Sequence, residues 1–153
     1  HNRRFFMARA ESELRRAVRY GKPLSLLMLD VDHFKQINDS HGHKVGDAAL
    51  QTLTATCQSA LRDIDVLGRL GGEEFAVLLP ETDLGLALTV AERLRAAVAR
   101  APLPLEDGGS VQLSASFGVA SMLGADDNLD ALLGRADRAL YAAKGSGRNA
   151  VRS

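Results

Sequence analysis

The stretch RLGGEEFAVLLP (69–80) places two glycines and two adjacent carboxylates directly before an apolar run. The glycines, Gly71-Gly72, separate the strand-like runs IDVLGRL (64–70) and EFAVLL (74–79). A two-glycine link between two such runs predicts a tight β-hairpin. Glu73 then lies at the hairpin tip, where its carboxylate can point away from the core. Because acids seldom lie beside a core without a partner, the stretch raises the question of what faces Glu73.

Five segments outside the hairpin show helical patterns of apolar residues. These segments are residues 5–20, 33–39, 50–61, 84–98 and 129–140. Between them, 40–47 is predicted to be a break and 101–110 a short linker. The single cysteine, Cys57, lies in the apolar stripe of the third segment, so we expect a buried structural thiol.

Three further segments are typical of strands. LSLLML (24–29) is a continuous apolar run, which indicates a central strand covered on both faces. VQLSASFGV (111–119) alternates and predicts a strand with one wetter face, and NAVR (149–152) is a candidate edge strand. The order of helices and strands predicts one α+β domain over residues 1–153, and the central hairpin makes its sheet at least partly antiparallel.

The composition is that of an ordinary globular domain. The chain has 153 residues, of which 46% are hydrophobic and 25% charged, and its formal net charge is zero. A neutral chain argues against bulk electrostatic binding to nucleic acid or to an anionic membrane. A single cysteine indicates a reducing compartment. The chain starts at His1 without a methionine, so we expect a fragment of a longer protein.

Two acids from different strands are the first candidates for chemistry. Asp30 follows the predicted central strand, and Glu73 occupies the hairpin tip. Carboxylates that come close together repel each other unless a cation lies between them, and Mg²⁺ is usually held by one or two carboxylates plus substrate phosphates. Phosphoryl and nucleotidyl transfers use such metals. Either acid alone would be more typical of a solvated residue at a strand end or turn.

Four motifs resemble one family in the right order and spacing. They are HNRRFF at the start, LLMLDVDHFKQIND (26–39) with HGHKVGD (41–47), RLGGEEF (69–75) and ADRALYAAKGSGRN (136–149). On these residues the chain resembles the GGDEF-family domains, the diguanylate cyclases, in the GGEEF form of the signature. The resemblance implies a ferredoxin-like fold similar to the palm of class III nucleotide cyclases. There, helices pack on a mostly antiparallel central sheet, and GGEEF lies on a hairpin.

The resemblance also implies a reaction and a set of partners. Two GTP molecules would condense into cyclic di-GMP with release of two pyrophosphates, and each subunit of a homodimer would bind one GTP. Because GTP is the substrate, we expect this domain to face the cytoplasm, whether or not its parent protein is anchored in a membrane. We expect neither nucleic acid nor a membrane among the partners of the domain.

Site roles follow from the same motifs. The resemblance assigns Mg²⁺, with Mn²⁺ as an alternative, to Asp30, Glu73 and the Val31 carbonyl, and it makes Glu74 a candidate for proton removal or phosphate positioning. Guanine would be bound by Asn38 and Asp47, whose alternative role is helix capping. The implied triphosphate contacts are the backbone amides of His33 and Phe34 and the side chains of Lys35, Lys144 and Arg148.

Arg62 and Asp65 form an RxxD spacing just before the hairpin. Its plain interpretation is a surface ion pair of little energetic value. At this offset from GGEEF, however, it resembles the family's inhibitory product site, supported by Arg93 and by Arg16 from a neighbouring subunit.

Two other functions remain open at this point. Some family members have lost catalysis and act as receptors for cyclic di-GMP or GTP. A cyclase that makes a mononucleotide ring would also be compatible with the fold. The intact metal acids and glycine turn argue against the receptor function, while Asn38, Asp47 and the GGEEF turn favour guanine and the two-GTP reaction over a mononucleotide ring.

Overall fold

The computed structural model describes residues 1–153, which form five helices and seven strands. The helices are α1 (Arg3–Tyr20), α2 (Phe34–His41), α3 (His43–Ala60), α4 (Leu84–Arg100) and α5 (Leu129–Gly145). The strands are β1 (Leu24–Val31), β2 (Val66–Gly71), β3 (Glu74–Pro80), β4 (Pro102–Pro104), β5 (Ser110–Gln112), β6 (Ala115–Ser121) and β7 (Val151–Arg152).

Five strands form the central sheet in the order β2-β3-β1-β6-β7. Every pairing is antiparallel except that of β6 with β7. β1 therefore lies in the middle, and all eight of its residues are buried. The predicted central strand, the hairpin and the C-terminal edge strand are confirmed, as is the α+β palm-like architecture.

Helices cover both faces of the sheet because alternate residues of β1 point in opposite directions. Leu27, Leu29 and Val31 join the cluster that includes buried residues of α3 and α4. Leu26 and Met28 face the other way and pack with α1 and α5. The continuous apolar run of β1 thus supplies two cores at once.

Close approach of α5 to the sheet depends on Gly118 in β6. A Cβ at this position would overlap the carbonyl oxygen of Ala136 and the amide nitrogen of Leu140, both in the backbone of α5. A missing side chain therefore lets the helix backbone lie directly on the strand. This contact fixes where the C-terminal end of α5 reaches the end of β1.

Three predictions about connecting segments were wrong. Residues 40–47 contain only a one-residue break, Gly42, which joins α2 to α3 with a φ of 89°. The linker 101–110 contains β4 and the start of β5, which pair as a separate two-stranded sheet. The segment 111–119 is two strands, and both faces of β6 are buried except at its last residue, because α5 covers the face that was expected to be wetter.

Two further observations concern the single cysteine and the apolar character of the helices. Cys57 is fully buried, and burial raises the pKa of its thiol to about 12, as expected for a structural cysteine. None of the helices combines the length and the apolar character needed to cross a bilayer.

Candidate active site

The hairpin tip and the end of β1 lie side by side. β1 pairs with β3 in a register that sets Asp30 opposite Glu74, and Glu73 lies in the turn just before it. Asp30 shares the α5 face of β1 with Met28, because residues two apart in a strand point the same way. From that side the ammonium of Lys144, near the C-terminal end of α5, donates a hydrogen bond to Asp30 Oδ2.

The Asp30 carboxylate is buried and incompletely satisfied. Burial raises its pKa above the ordinary value, the bond to Lys144 opposes this effect, and the negative charges of Glu73 and Glu74 reinforce it. Its Oδ1 atom is buried with no hydrogen-bond partner. A buried, unpaired carboxylate oxygen beside two further carboxylates is an environment that a divalent cation would stabilise.

The donor set fits Mg²⁺ rather than a softer metal. Asp30 and Glu73 offer hard oxygen ligands of the kind that Mg²⁺ prefers. No three His, Cys, Asp or Glu side chains are arranged around one point, so side chains alone do not form a complete metal site. A cation at this position would complete its shell with main-chain carbonyl, water or substrate oxygens, as Mg²⁺ sites commonly do.

Arg69 holds the turn that carries Glu73. Gly72 has a φ of 44°, in the left-handed region that a tight hairpin requires. The Nε atom of Arg69 donates a 2.8 Å hydrogen bond to the carbonyl oxygen of Gly72. Sequence reasoning missed this residue, although an arginine two positions before a glycine turn is within reach of the turn carbonyls.

Beside the hairpin lies a cavity of about 600 Å³. One wall is α3, including Asp47, and the other includes Arg69 and Phe75 of the β2–β3 hairpin. Asn38 is absent from the wall, but its carboxamide packs against Gly46, where a Cβ would overlap it. The corner between α2 and α3 thus sets Asn38 against the residue that precedes Asp47, and of the two residues expected to bind guanine only Asp47 lines the cavity.

Neither of these residues is a helix cap. Asn38 lies inside α2, and its buried Oδ1 has no hydrogen-bond partner. Asp47 is exposed in the second turn of α3, which begins at His43 after Gly42. The capping alternative is therefore wrong for both.

The residues expected to contact phosphate lie at two neighbouring helix ends. His33 has a left-handed φ of 55° and precedes Phe34 and Lys35 at the start of α2, which has no side-chain cap. Lys144 lies near the end of α5, and Arg148 follows in the exposed loop with a left-handed φ of 65°. Lys35 is exposed, so its role stays a prediction.

The RxxD residues form a separate cluster at the far end of the hairpin. Arg62 donates from Nη2 to Asp65 Oδ1 at 2.7 Å, to the Pro80 carbonyl at 3.1 Å and to Thr82 Oγ1 at 2.9 Å. The Asp65 side chain is only 2% exposed, whereas that of Arg62 is 50% exposed. This pair is therefore better anchored than an ordinary surface ion pair.

The two arginines expected to support this site lie near it within one chain, although Arg16 was expected to act from a neighbouring subunit. Arg93 of α4 donates a 2.9 Å bond to the Ala60 carbonyl at the end of α3. Arg16 of α1 lines a small cleft with Pro80, the residue whose carbonyl accepts from Arg62. A cavity of about 150 Å³ beside Arg62 shares the lining residues His1, Gln58 and Leu67 with the larger cavity.

Comparison with known proteins identifies the family and the fold of the chain. Residues 1–150 match the family described as "Diguanylate cyclase, GGDEF domain". The response regulator PleD of Caulobacter vibrioides is 43% identical over 152 residues, which cover 99% of this chain and 34% of that protein. The chain thus spans about a third of the length of this curated relative.

Solved structures share the fold over nearly the whole chain. The active GGEEF domain of a diguanylate cyclase from Vibrio cholerae superposes with a TM-score of 0.92 at 37% identity, covering 99% of this chain and 95% of that one. The GGDEF domain of DgcB from Caulobacter crescentus, solved in complex with cyclic di-GMP, gives 0.94 at 30% identity, with 99% and 86% coverage. By the family match and the identity of its relatives, this chain belongs to the diguanylate cyclase GGDEF domain family.

Proposed function

We propose that the chain is a metal-dependent diguanylate cyclase domain that converts two GTP into cyclic di-GMP and two pyrophosphates. The observation that carries the proposal is the buried Asp30 carboxylate. Its unpartnered Oδ1 lies in a site with Glu73 of the GGEEF turn and with the Lys144 ammonium. Such a site suits a divalent cation and a triphosphate together.

The metal would be held by the carboxylates of Asp30 and Glu73 and the carbonyl of Val31, with Mg²⁺ as the first choice and Mn²⁺ as an alternative. When bound, it would supply Lewis-acid activation of the attacking hydroxyl and stabilisation of the leaving oxygen.

Two groups of residues would orient the substrate, one at its guanine and one at its triphosphate. Asn38 and Asp47 present an amide and a carboxylate, which can pair with the donor–acceptor edge of guanine. Lys35, Lys144 and Arg148 would bind the triphosphate together with the amides at the start of α2, which favour anions. Glu74 lies in register with Asp30, close enough to hold the proton that leaves the hydroxyl or to position a phosphate.

Bond formation requires two copies of the site. The 3′-hydroxyl oxygen of one GTP attacks the α-phosphorus of the other, the bond to pyrophosphate breaks, and the exchange is repeated in the opposite direction. One subunit binds one GTP, so a symmetric product needs two facing subunits. Subunit association then becomes part of catalysis.

The test is to incubate the purified chain with GTP and Mg²⁺ at several protein concentrations and to resolve the products by mass. We expect one cyclic di-GMP for every two pyrophosphates, and a specific activity that rises with protein concentration through the monomer–dimer transition. Analytical ultracentrifugation of the same samples gives the dimer fraction.

Three outcomes would contradict the proposal. Activity that stays constant while the dimer fraction changes would exclude the two-subunit reaction. A mononucleotide ring as product would establish the other cyclase chemistry. Tight binding of cyclic di-GMP without turnover at any concentration would favour the receptor function.

The cluster around Arg62 is proposed as an inhibitory product site. The Arg62 side chain is half exposed, and a planar guanidinium with several donors suits guanine and phosphate acceptors. Asp65 holds the guanidinium in place through bonds to Nε and Nη2, and its hydrogen bond raises the pKa of Arg62.

Replacing Arg62 with alanine should relieve product inhibition. We expect the inhibition constant of cyclic di-GMP to rise about tenfold or more, since charge-assisted bidentate bonds are lost. The initial rate should stay within about twofold of the parent, because Arg62 lies at the opposite end of the hairpin from Glu73. Initial rates at increasing product concentration measure both.

The matched control is Arg15→Ala, which removes an arginine from the exposed face of α1. It should leave inhibition unchanged. Thermal melting checks that Arg62→Ala is folded, because its loss leaves the nearly buried Asp65 without its main partner. Inhibition of the variant as strong as that of the parent would disprove the assignment.

A further inference from the structure

Asp32 is the second acid of the Asp30-Val31-Asp32 sequence, and the catalytic proposal gives it no role. Its carboxylate is buried and accepts three hydrogen bonds. Ser114 Oγ donates to Oδ2 at 2.7 Å, Ser116 Oγ to Oδ1 at 2.6 Å, and the backbone amide of Asn149 to Oδ2 at 2.9 Å. Both oxygens are engaged by protein donors, which distinguishes Asp32 from the incompletely satisfied Asp30.

The third donor belongs to the loop that follows α5. In this loop Arg148 and Asn149 have left-handed φ values of 65° and 43°. Such a conformation costs Arg148 about 1–3 kcal/mol and persists only where the surroundings enforce it, whereas asparagine adopts it more readily. The strained Arg148 therefore needs a firmly held neighbour.

The end of the loop is tied to β6 by the Phe117 amide, which donates to the Ala150 carbonyl at 2.9 Å, and two side chains act on Asn149 itself. Asp32 accepts from its backbone amide, and Arg95 of α4 donates from Nη1 to its Oδ1 at 2.8 Å. The preceding residue, Arg148, is tied to α5 only by its own amide, which bonds the Ala143 carbonyl at 3.2 Å. The direction of the exposed Arg148 side chain is thus set by how Asn149 is held.

We infer that Asp32 is a positioning residue for the triphosphate subsite. By fixing the Asn149 amide against the end of β1, its carboxylate holds the loop in the left-handed conformation that presents Arg148 beside Lys144 and Asp30. Asp32 itself touches neither substrate nor metal. The inference rests on the proposed function of Arg148 as a phosphate contact.

A carboxylate suits this position better than an amide. Three donors converge on it, and a carboxylate is an acceptor at both oxygens. An asparagine can keep these partners only with its NH₂ group facing Ser116, whose hydroxyl would then accept, and it removes the negative charge that strengthens the bond to the Asn149 amide. Asp32→Asn therefore keeps the volume while it weakens the anchor.

The test is a double-mutant cycle of Asp32→Asn and Arg148→Ala. The ligand is a GTP analogue with an α,β-methylene bridge, which cannot release pyrophosphate, and calorimetry in Mg²⁺ gives its affinity. We expect each single variant to lose about tenfold in affinity, and the double variant to lose no more than either, because Asp32 acts through Arg148. Guanosine has no phosphates, so the parent, both single variants and the double variant should bind it with equal affinity.

Two further variants separate positioning from folding. Arg95→Ala removes the side-chain bond to Asn149 Oδ1 and should lower the affinity for the analogue as Asp32→Asn does. In the Arg148→Ala background it should have no further effect. Ser25→Ala removes buried hydrogen bonds at the opposite end of β1 and should lower thermal stability without changing affinity for the analogue. If Asp32→Asn does not fold, the same cycle is measured with Arg95→Ala in its place.

The outcomes separate the inference from the function on which it rests. A parent chain that fails to bind the analogue would overturn the proposed function and the inference with it. A parent that binds, with Arg148→Ala weakened but Asp32→Asn or Arg95→Ala unchanged, would overturn the inference alone. The inference would also be overturned if the losses of the two single variants added fully in the double variant, or if Asp32→Asn weakened guanosine binding as much as analogue binding. Either result would mean that Asp32 does not act through Arg148.

Discussion

Replacing Glu73 with glutamine is expected to reduce cyclic di-GMP synthesis by about a thousandfold or more, because the charge that helps to hold the metal is lost while the side-chain volume is kept. The measurement is product formation by mass at saturating GTP and Mg²⁺, with Glu11→Gln on the exposed face of α1 as the matched control. A Glu73→Gln variant that keeps a tenth of the parent activity would contradict the metal role.

In the absence of metal, the Glu73→Gln variant should be no less stable than the parent. The charge of Glu73 raises the pKa of the buried Asp30, so its removal relieves repulsion and lowers that pKa. In metal-free buffer we therefore expect a melting temperature equal to or above that of the parent. Mg²⁺ should raise the melting temperature of the parent but not that of the variant. A destabilised variant would instead indicate a structural role for Glu73.

Gly118→Ala is expected to cost about 3 kcal/mol or more in free energy of unfolding. The added methyl group would collide with backbone atoms of Ala136 and Leu140, which cannot rotate away as a side chain could, so α5 would have to lift off β6. Denaturant unfolding monitored by circular dichroism measures the loss.

Gly134→Ala is the matched control for this variant. Gly134 lies in the same helix, where the nearest atom to an added methyl group is the flexible Arg138 Nη1 at 3.5 Å. Alanine should stabilise the helix by up to about 1 kcal/mol. Equal stability of Gly118→Ala and the parent would show that the helix backbone does not lie as close to the strand as described.

Much of the site was predictable because it lies on regular elements. The apolar run of β1 and the glycine turn fix two strand ends, and a short hairpin leaves few ways to place Glu73 relative to Asp30. The predicted roles of the remaining residues, including Lys35 and Arg93, came from the family resemblance and stay predictions.

The errors lie where a single residue overrides a local pattern. A break was predicted over residues 40–47 because glycines and histidines are frequent there, yet Gly42 alone makes the turn and α3 starts without a side-chain cap. The wetter face of 111–119 was inferred from alternation, which cannot reveal that α5 would cover Gly118. Asp32 was passed over because its partners are far away in sequence, at Ser114, Ser116 and Asn149.

The central place of β1 also affects how the chain is made. This strand is entirely apolar except near its ends, and its two neighbours, β3 and β6, come from the middle and the last third of the chain. At a synthesis rate of about 5–20 residues per second, β6 leaves the ribosome roughly 5–20 s after β1. During that interval one edge of β1 has no partner, so the nascent chain is a natural client for chaperones until β6 has been translated.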